Sequence, residues 1–514
     1  MIRRWHRAIV RIALLAALVA GHTVTAAPCS AEGGARASRV SSSSKPSDSG
    51  NWPAPAIDWK ALPIDLAFLN EREKPAGRRG FLRAAGDRLV FEDGTPGRFW
   101  GTNLTAAALF DTPRGAVREQ ARRISALGMN LVRLHHHDSG WVDPNVFGGR
   151  DAADTSRLSK AMLDRLDWWI KCLEDEGIYV WLDLHVGRRL KAGDRIDGFD
   201  EIRKDGPTAG LHGYSYVNAS IQRAMMRFSE DYVSHVNAYT GRRYKDDPGI
   251  VAMMVTNEND LTQHFGNALL PDKGVPAHSA TFMKLADAFA ATWGLPKGRI
   301  WRTWEPGPSK LFLNDLERRF QVAMIRHLRS VGVRAPIATT STWGNSPISS
   351  LPALTVGDVI DVHAYGGSGE LAKDPLLSAN MIHWLAAARV VGKPLTVTEW
   401  NVERFPVLGR HAIPLFVAAS GRFQGWDAVM QYAYAQVGMD AAGPPSNWHA
   451  YNDPALLATL PAAALLFRRG HVRESAIQYV FAPSADQLFQ QGISAGNSRA
   501  LRTAAEKGKL AIAL

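Results

Sequence analysis

Two kinds of hydrophobic pattern alternate along most of this chain. Short continuous runs of apolar and β-branched residues, such as IVAMMVT at 250–256, are typical of strands that are buried on both faces. Longer stretches with apolar residues three or four positions apart, such as 114–127 and 219–238, are typical of amphipathic helices. Because the alternation runs from about residue 98 to residue 472, it predicts one large α/β domain.

Eight of the continuous runs are predicted to be strands. They span residues 98–106, 129–137, 178–186, 250–256, 336–342, 359–365, 395–399 and 429–435. Eight strands that alternate with helices fit a (β/α)8 barrel, or TIM barrel, with enlarged loops at 187–216 and 262–276. A doubly wound open sheet is the alternative, but no glycine-rich nucleotide loop follows the first strand.

The remaining segments differ in composition from the repeating region. Residues 1–26 combine a basic start, the apolar run IALLAALVA and the small-residue site VTA, which predicts a secretory signal peptide and a secreted or periplasmic protein. Residues 27–56 are rich in Ser, Gly, Ala and Pro and predict a flexible linker. Residues 57–97 predict an N-terminal cap with a β-hairpin that turns at Asp93–Gly94. Residues 473–514 predict a C-terminal extension with two strands, QYVFA and KLAIAL.

Charge and hydropathy exclude two classes of partner. The 514 residues carry a formal net charge of +11, and four of the arginines lie in the leader, at positions 3, 4, 7 and 11. The other cations are spread along the chain without a basic stripe or a recognition motif, so no nucleic-acid partner is expected. After the leader, no stretch is long and apolar enough to span a bilayer, so no stable membrane insertion is expected once the leader is cleaved.

Polar residues follow directly on two of the predicted strands. The fourth strand runs into Asn257-Glu258, and Glu399 follows the β-branched run of the seventh, LTVTEWN. A carboxylate at the end of a buried strand costs free energy to desolvate unless it has hydrogen-bond or charge partners, or serves in binding or catalysis. In a parallel barrel these strand ends form the active-site face. The pattern therefore predicts two glutamates that face each other across one pocket, with a structural ion pair as the alternative.

Two such carboxylates suit the hydrolysis of a glycosidic bond. In the retaining reaction one carboxylic acid protonates the leaving oxygen and then activates water, while the other attacks the anomeric carbon. An adjacent amide can hydrogen-bond the hydroxyl next to the reacting carbon. We therefore predict that Glu258 is the acid/base, that Glu399 is the nucleophile, and that Asn257 binds the substrate.

With Asn-Glu on the fourth strand and Glu on the seventh, the chain resembles clan A of the glycoside hydrolases, especially cellulase-like family 5, over residues 90–470. The resemblance implies a retaining (β/α)8-barrel glycosidase without a cofactor. It also implies supporting roles for Arg133 in NLVRL, His185 in LDLHV, and His363 and Tyr365 in DVHAY. The tyrosine would hydrogen-bond the nucleophile and the arginine would orient it, although Arg133 could instead form a salt bridge within the barrel.

The aromatic residues depart from the family pattern. Family 5 enzymes usually present a tryptophan on the eighth strand as a sugar platform, whereas this strand reads VMQYAYAQ. Tyr432 is the expected replacement, with Tyr434 or Trp448 as alternatives. Sugar rings stack on aromatic planes, and we expect Trp343 and Trp400 to supply two more of these surfaces because both lie at predicted strand ends.

A run of three histidines and an aspartate follows the second strand, at 135–138. On an extended strand Arg133, His135 and His137 share one face. Two imidazoles and Asp138 could bind zinc, but no spaced partner motif such as H-E-x-x-H is present. We therefore expect His135 and His137 to hydrogen-bond sugar hydroxyls and expect no metal.

Together these patterns predict a secreted retaining β-glycoside hydrolase that cleaves a polysaccharide or oligosaccharide. Long loops after the third and fourth strands favour an endo-β-glycanase with a shaped cleft. An exo-acting β-glycosidase is the alternative within the class. A catalytically silent glycan-binding barrel and a metal-dependent hydrolase built on His135 and His137 are the alternatives outside it.

Overall fold

Eight parallel strands close into a barrel in the computed structural model, which describes residues 64–343, 345–403, 405–440 and 445–514. In chain order the barrel strands are Phe99–Thr105, Leu131–His135, Tyr179–His185, Ile250–Thr256, Ile337–Trp343, Val359–Gly366, Leu395–Val402 and Ala428–Ala435. Each pairs with the next, and the eighth closes on the first. The predicted (β/α)8 fold is confirmed. The predicted signal peptide and linker lie outside the described residues.

Helices connect consecutive strands on the outside of the barrel. The α-helices are Ala107–Phe110, Arg114–Ala126, Lys160–Asp175, Phe199–Ile202, Ala219–Ser234, Pro276–Trp293, Pro308–Val331, Leu351–Leu354, Met381–Ala386, Ile413–Gln424, Pro454–Leu457, Leu460–Arg468 and Arg499–Lys507. Local sequence sets their ends. Asn218, for example, caps one helix by accepting hydrogen bonds from the backbone N–H groups of Ser220 and Ile221, at 3.0 and 3.1 Å.

A β-hairpin covers the amino-terminal end of the barrel. It pairs Leu82–Ala85 with Arg88–Phe91, so its turn lies at residues 86–87 rather than at the predicted Asp93–Gly94. The chain does reverse again at 93–94, but that reversal has one bridge, between Val90 and Pro96. The pairing stops there because proline has no N–H to donate to a longer ladder.

The barrel interior changes from apolar to polar along its axis. At the hairpin end, the Phe91 ring packs against Phe99 and Tyr179, with centroid distances of 6.0 and 5.2 Å. Residues two apart on a strand point the same way, so Trp181 is followed inward by Asp183 and Leu131 by Arg133. Buried charges must be paired to be tolerated. Asp183 and Arg133 form such a pair, and they lie at the base of the site described below.

The last part of the chain packs back against the helices that surround the barrel. Strands Gln478–Phe481 and Lys509–Ile512 pair in parallel, in continuous register from their first residues to their last. Gln424, at the end of a barrel helix, donates hydrogen bonds to the carbonyls of Ala505 and Gly508, at 2.6 and 2.7 Å. None of the helices within the described residues combines the length and the apolar character needed to cross a membrane.

Candidate active site

Glu258 and Glu399 converge on one pocket at the carboxyl-terminal end of the barrel. One carboxylate oxygen from each glutamate and one ring nitrogen of His363 all lie within 4.8 Å of one another. His363 Nδ1 is 2.8 Å from Glu258 Oε1 and 3.5 Å from Glu399 Oε1. The strand ends therefore bring together the two residues that the sequence predicted as a pair.

The two glutamates differ in exposure and in backbone conformation. The side chain of Glu258 is 28% exposed and that of Glu399 is 6% exposed. Glu258 lies two residues after the end of the fourth strand and has a φ of 44°, a left-handed conformation that costs energy for a residue other than glycine. Its backbone N–H donates to Ser341 Oγ at 3.2 Å, which holds this turn in place. Glu258 therefore faces the open side of the pocket and Glu399 faces its interior.

Hydrogen bonds from the second and the sixth barrel strands hold the Glu399 carboxylate. Arg133 Nη1 donates to Oε1 at 2.6 Å, and Tyr365 Oη donates to Oε2 at 2.5 Å. Burial raises the pKa of Glu399, while the charges of His363 and Arg133 oppose that rise. Each carboxylate oxygen thus has a fixed donor, which restricts the orientation of the side chain.

Arg133 is fully buried, and its guanidinium donates to acceptors on several barrel strands. Besides Glu399, it contacts Asp183 through Nε–Oδ1 and Nη2–Oδ2 at 3.1 and 2.9 Å, and Asn257 Oδ1 at 2.7 Å. Burial alone would lower the pKa of Arg133, but the Asp183 and Glu399 carboxylates raise it above its usual value. Because the Asn257 carbonyl oxygen is occupied, the Asn257 amide NH2 is the group left to bind a ligand.

His363 bridges the two glutamates as a cation. Its Nδ1 lies against Glu258, and its Nε2 is 2.7 Å from Thr398 Oγ1 and 3.4 Å from Asp361 Oδ2. Burial opposes the charge, but the carboxylates of Glu399, Asp361 and Glu258 together raise the pKa of His363 to about 10. A protonated imidazole has no lone pair to offer a metal. This cluster has metal-like spacing, but a protonated His363 cannot act as a ligand in it.

The raised pKa of His363 makes stability depend on pH in a defined direction. Between the unfolded value of 6.5 and the folded value of about 10, the folded state holds the extra proton. The free energy of unfolding should therefore fall as pH rises through this window, by at most about 1.4 kcal/mol per pH unit. Urea unfolding of wild type and His363→Asn, measured from pH 6 to pH 10, checks this. A wild-type slope that the variant retains would contradict it.

The second strand ends within the histidine run, so His135 and His137 have different surroundings. The strand stops at His135, and His136 has a φ of 54°, so the strand alternation that the sequence analysis assumed ends there. His135 Nδ1 contacts the Asp183 carboxylate, and His135 Nε2 is 3.4 Å from Glu399 Oε1. Burial holds the pKa of His135 well below its usual value, and the charge of Arg133 adds to this effect. His135 therefore enters the pocket as a neutral ring.

His137 lies outside the pocket, contrary to the prediction. Its ring stacks on Tyr232 of the helix Ala219–Ser234, with centroids 5.1 Å apart and planes at 13°. Its ring nitrogens have no hydrogen-bond partner among the described residues. Asp138 also serves the fold, because its carboxylate accepts from the backbone N–H groups of Val186 and Gly187 at 3.0 and 2.9 Å. The structure therefore does not assemble His135, His137 and Asp138 into a metal site.

Two other residues predicted to bind substrate are directed away from the pocket. His185 Nε2 lies 3.2 Å from Ser229 Oγ, and its ring contacts Phe228 on the same helix. Trp400 is completely buried in the core outside the barrel, 5.9 Å from the Trp100 ring. Because Glu399 points inward, its neighbour on the strand must point outward, and this corrects the prediction for Trp400.

Aromatic rings form one wall of the pocket. The Tyr432 ring is 5.4 Å from Trp448 and 6.3 Å from Tyr365, and the Trp448 ring is 5.9 Å from Tyr365. The Tyr432–Ala433 peptide is cis. Tyr434 faces outward instead and donates to Gln120 Oε1 at 2.6 Å. Of the replacements considered for the family tryptophan, Tyr432 and Trp448 are therefore the two at the pocket.

Trp343 lies at the end of the fifth strand, and its side chain is partly exposed. Its ring centroid is 3.9 Å from that of His264, a residue of the loop after Glu258. The backbone of Trp343 is in register with His363. Trp343 therefore stands beside the pocket, on the side from which the loop after Glu258 leaves the barrel.

A family model described as cellulase (glycosyl hydrolase family 5) matches residues 92–406. The chain belongs to glycosyl hydrolase family 5. This membership confirms the resemblance that the strand-end residues indicated, and it places this family 5 protein among the glycoside hydrolases.

Individual relatives of this family 5 protein are distant. It is 27% identical over 195 residues to mannan endo-1,4-beta-mannosidase 1 of Oryza sativa subsp. japonica, a match that covers 37% of this chain and 43% of the rice protein. A second rice protein, putative mannan endo-1,4-beta-mannosidase 5, is 28% identical over 195 residues, which cover 35% of this chain and 36% of that protein. The chain thus spans less than half the length of these relatives.

Solved structures support the fold. The endo-1,4-beta-mannanase of Rhizomucor miehei matches this family 5 protein with a TM-score of 0.50 and 15% identity, and the match covers 76% of this chain and 100% of that one. At this identity the likeness concerns the fold alone.

The sequence analysis missed several residues that support the site. Asp183 binds Arg133 and His135, while Asp361 accepts hydrogen bonds from Thr396 Oγ1 and Thr398 Oγ1 at 2.6 and 2.7 Å. Both aspartates interrupt otherwise apolar strands, two residues before a histidine on the same strand. A buried carboxylate in such a position needs a partner, so this signal was present in the family 5 sequence.

Proposed function

We propose that this family 5 protein is a retaining β-glycoside hydrolase, with Glu258 as acid/base and Glu399 as nucleophile. One observation carries the proposal: the two carboxylates share a pocket and approach to within 4.8 Å. Carboxyl groups of retaining glycosidases are about 5 to 5.5 Å apart, whereas inverting enzymes need about 6.5 to 9.5 Å to admit a water. An oxygen-to-oxygen approach this close favours the retaining arrangement over the inverting one.

The surroundings of each glutamate support this division of roles. Glu399 is buried and oriented by Arg133 and Tyr365, which suits a carboxylate that attacks a carbon at a fixed position. Glu258 is more exposed and lies at the mouth of the pocket, where a leaving sugar and a water can reach it. The reverse assignment, with Glu258 as nucleophile and Glu399 as acid/base, would fit these surroundings less well.

In the first step the Glu399 carboxylate forms a bond to the anomeric carbon. The bond from that carbon to the leaving oxygen breaks, and the proton of Glu258 passes to this oxygen. In the second step the Glu258 carboxylate takes a proton from water, whose oxygen attacks the same carbon and releases Glu399. Two inversions at one carbon give net retention.

Four neighbouring groups are suited to hold the sugar. Asn257 offers its amide NH2, since Arg133 occupies its carbonyl oxygen. His135 is a neutral ring whose Nε2 faces the pocket beside Glu399. Tyr432 and Trp448 offer aromatic planes for stacking. These contacts would orient the ring that undergoes cleavage.

We further propose an exported, endo-acting enzyme on a β-linked polysaccharide. The names of the rice relatives and of the Rhizomucor miehei structure make β-1,4-mannan the first substrate to test. The basic and apolar leader at 1–26 supports export.

Product stereochemistry tests this function. We expect the wild type to release β-configured reducing ends from a β-1,4-linked oligosaccharide, because Glu399 and then water each invert the anomeric carbon. Proton NMR during the first minutes of hydrolysis, before mutarotation, distinguishes the two anomers. A panel of mannan, glucan and xylan, with product sizing, identifies the polysaccharide and the endo mode. Initial release of the α anomer would contradict the retaining mechanism.

A further inference from the structure

A second cavity, of about 310 Å³, lies beyond the loop that follows Glu258. Its walls come from four parts of the chain: the loop after the fourth strand, the start of the helix Pro308–Val331 with the segment before it, the segment after the fifth strand, and the C-terminal extension. The residues that line it are Gln263, Thr303, Trp304, Pro306, Lys310, Pro347, Ser349, Phe489 and Gly492. None of these residues contributes to the pocket of the two glutamates.

We propose that this cavity binds a pyranose ring of the leaving portion of the substrate, with Trp304 as its stacking platform. The proposal rests on the proposed function, because only a chain cleaved between Glu258 and Glu399 has a leaving portion. It adds a remote carbohydrate-binding site built partly from the C-terminal extension.

The side chains at the cavity combine an aromatic plane with hydrogen-bonding groups. Trp304 is 60% exposed at the edge of the cavity, so part of its ring is accessible to a ligand that enters there. Thr303, Lys310 and Ser349 lie beside it and are almost completely buried. An exposed aromatic plane with a few fixed polar groups is the usual composition of a small-molecule site.

Lys310 has a donor to spare. Its Nζ donates to Thr262 O and Gln263 Oε1, both at 2.7 Å, and an ammonium group has three N–H donors. Burial lowers the pKa of Lys310 to about 8, although Asp260 and Glu317 favour its charge. Gln263 Nε2 in turn donates to Ser349 Oγ at 2.9 Å, which leaves the hydroxyl hydrogen of Ser349 available. A sugar hydroxyl could accept from both groups.

Contacts between these walls hold the cavity in shape. The backbone N–H of Gly307 donates to Phe489 O at 2.8 Å, and that of Ile348 donates to Ile493 O at 2.9 Å. Glu317 Oε2 accepts from the backbone N–H groups of Leu261 and Thr262, both at 3.1 Å. The site therefore needs little reorganisation before it binds a ligand, which favours affinity.

The loop after Glu258 connects the cavity to the catalytic pocket. His264 lies next to Gln263 of the cavity wall, and its ring contacts Trp343 at the end of the fifth strand. Asp260 is two residues after Glu258, and its Oδ2 lies 2.5 Å from His264 Nδ1. The acid/base contacts the leaving oxygen, so a chain that follows this loop would carry its leaving portion toward Trp304.

The test compares substrates of different length in wild type and Trp304→Ala. We expect the ratio of kcat/KM for mannohexaose to that for mannotriose to fall about 3- to 10-fold in the variant, since one stacking contact is lost only for the longer chain. If the panel of polysaccharides shows that the protein cleaves glucan rather than mannan, cello-oligosaccharides of the same lengths replace these substrates. Trp293→Ala is the matched control, because Trp293 is 67% exposed on another helix and lines neither pocket. It should keep the wild-type ratio.

Calorimetry on the inactive Glu399→Ala protein separates the inference from the proposed function. Mannohexaose should bind Glu399→Ala about 3- to 10-fold more tightly than it binds the double variant with Trp304→Ala. If mannohexaose bound through Trp304 but the wild type cleaved no glycoside, the binding site would be supported and the proposed function would be wrong. Cleavage with a length ratio that Trp304→Ala leaves unaltered, or equal losses on both substrates, would overturn the site.

Discussion

Glu399→Ala is expected to lower kcat by about 10⁴-fold on a β-glycoside, and added azide is expected to restore much of the loss. The variant lacks the group that attacks the anomeric carbon, while Glu258 and the substrate contacts remain. Alanine leaves space beside Arg133 and Tyr365, whose donors would then face a small anion in place of the carboxylate. Azide entering this space attacks from the face that Glu399 used, so the product should be the α-glycosyl azide. Initial rates and NMR of the isolated azide measure both effects.

The matched control for this experiment is Glu230→Ala. Glu230 is an exposed glutamate on the helix Ala219–Ser234, outside the pocket, and lies 3.9 Å from His327 Nε2. It should keep wild-type kcat and show no response to azide. Isolation of a β-glycosyl azide from Glu399→Ala would show that the anion attacks from the opposite face, and would reassign the nucleophile.

The second large effect concerns stability. Arg133→Met is expected to lower the free energy of unfolding by about 3 to 5 kcal/mol, because it removes the buried cation that Asp183 and Glu399 share. Methionine retains much of the aliphatic volume, so the lost charge dominates over any cavity. Urea unfolding at pH 7, followed by circular dichroism, measures the change. Activity should fall as well, since Glu399 and Asn257 both lose the donor that orients them.

Arg150→Met controls for the loss of an arginine as such. Arg150 is exposed, and its contact with Asp143 is long, at 3.6 Å. Exposed pairs of this kind contribute about 0 to 1 kcal/mol. An equal, small cost for both variants would mean that the Arg133 network does not stabilise the fold.

The fold and the central pair were predictable because both depend on strong, local signals. Apolar runs with helical segments between them specify strands and their order. A glutamate directly after such a run must lie at the strand end, whatever the side chains around it do. Glu258 and Glu399 could therefore be placed from the sequence, and the structure brings their carboxylates into one pocket.

Side-chain direction at the strand ends was less predictable. The analysis extended the second strand through His137, but the left-handed backbone of His136 ends the alternation and turns His137 toward Tyr232. Trp400 was expected at the pocket because it adjoins Glu399, although alternation along the strand places it on the opposite face. The Trp304 cavity needed tertiary structure, since its walls come from segments that are far apart in the sequence.

The aromatic residues that pack at the hairpin end of the barrel, below the site, also affect the order of events during turnover. Because Phe91, Phe99 and Tyr179 pack together at the opposite end of the barrel, we expect water to reach the site from the same side as the glycan. In the proposed mechanism the leaving portion would then have to depart before water reaches the bond between Glu399 and the sugar. At high glycan concentration a second saccharide would compete for the same entrance, so transfer to a sugar acceptor should accompany hydrolysis.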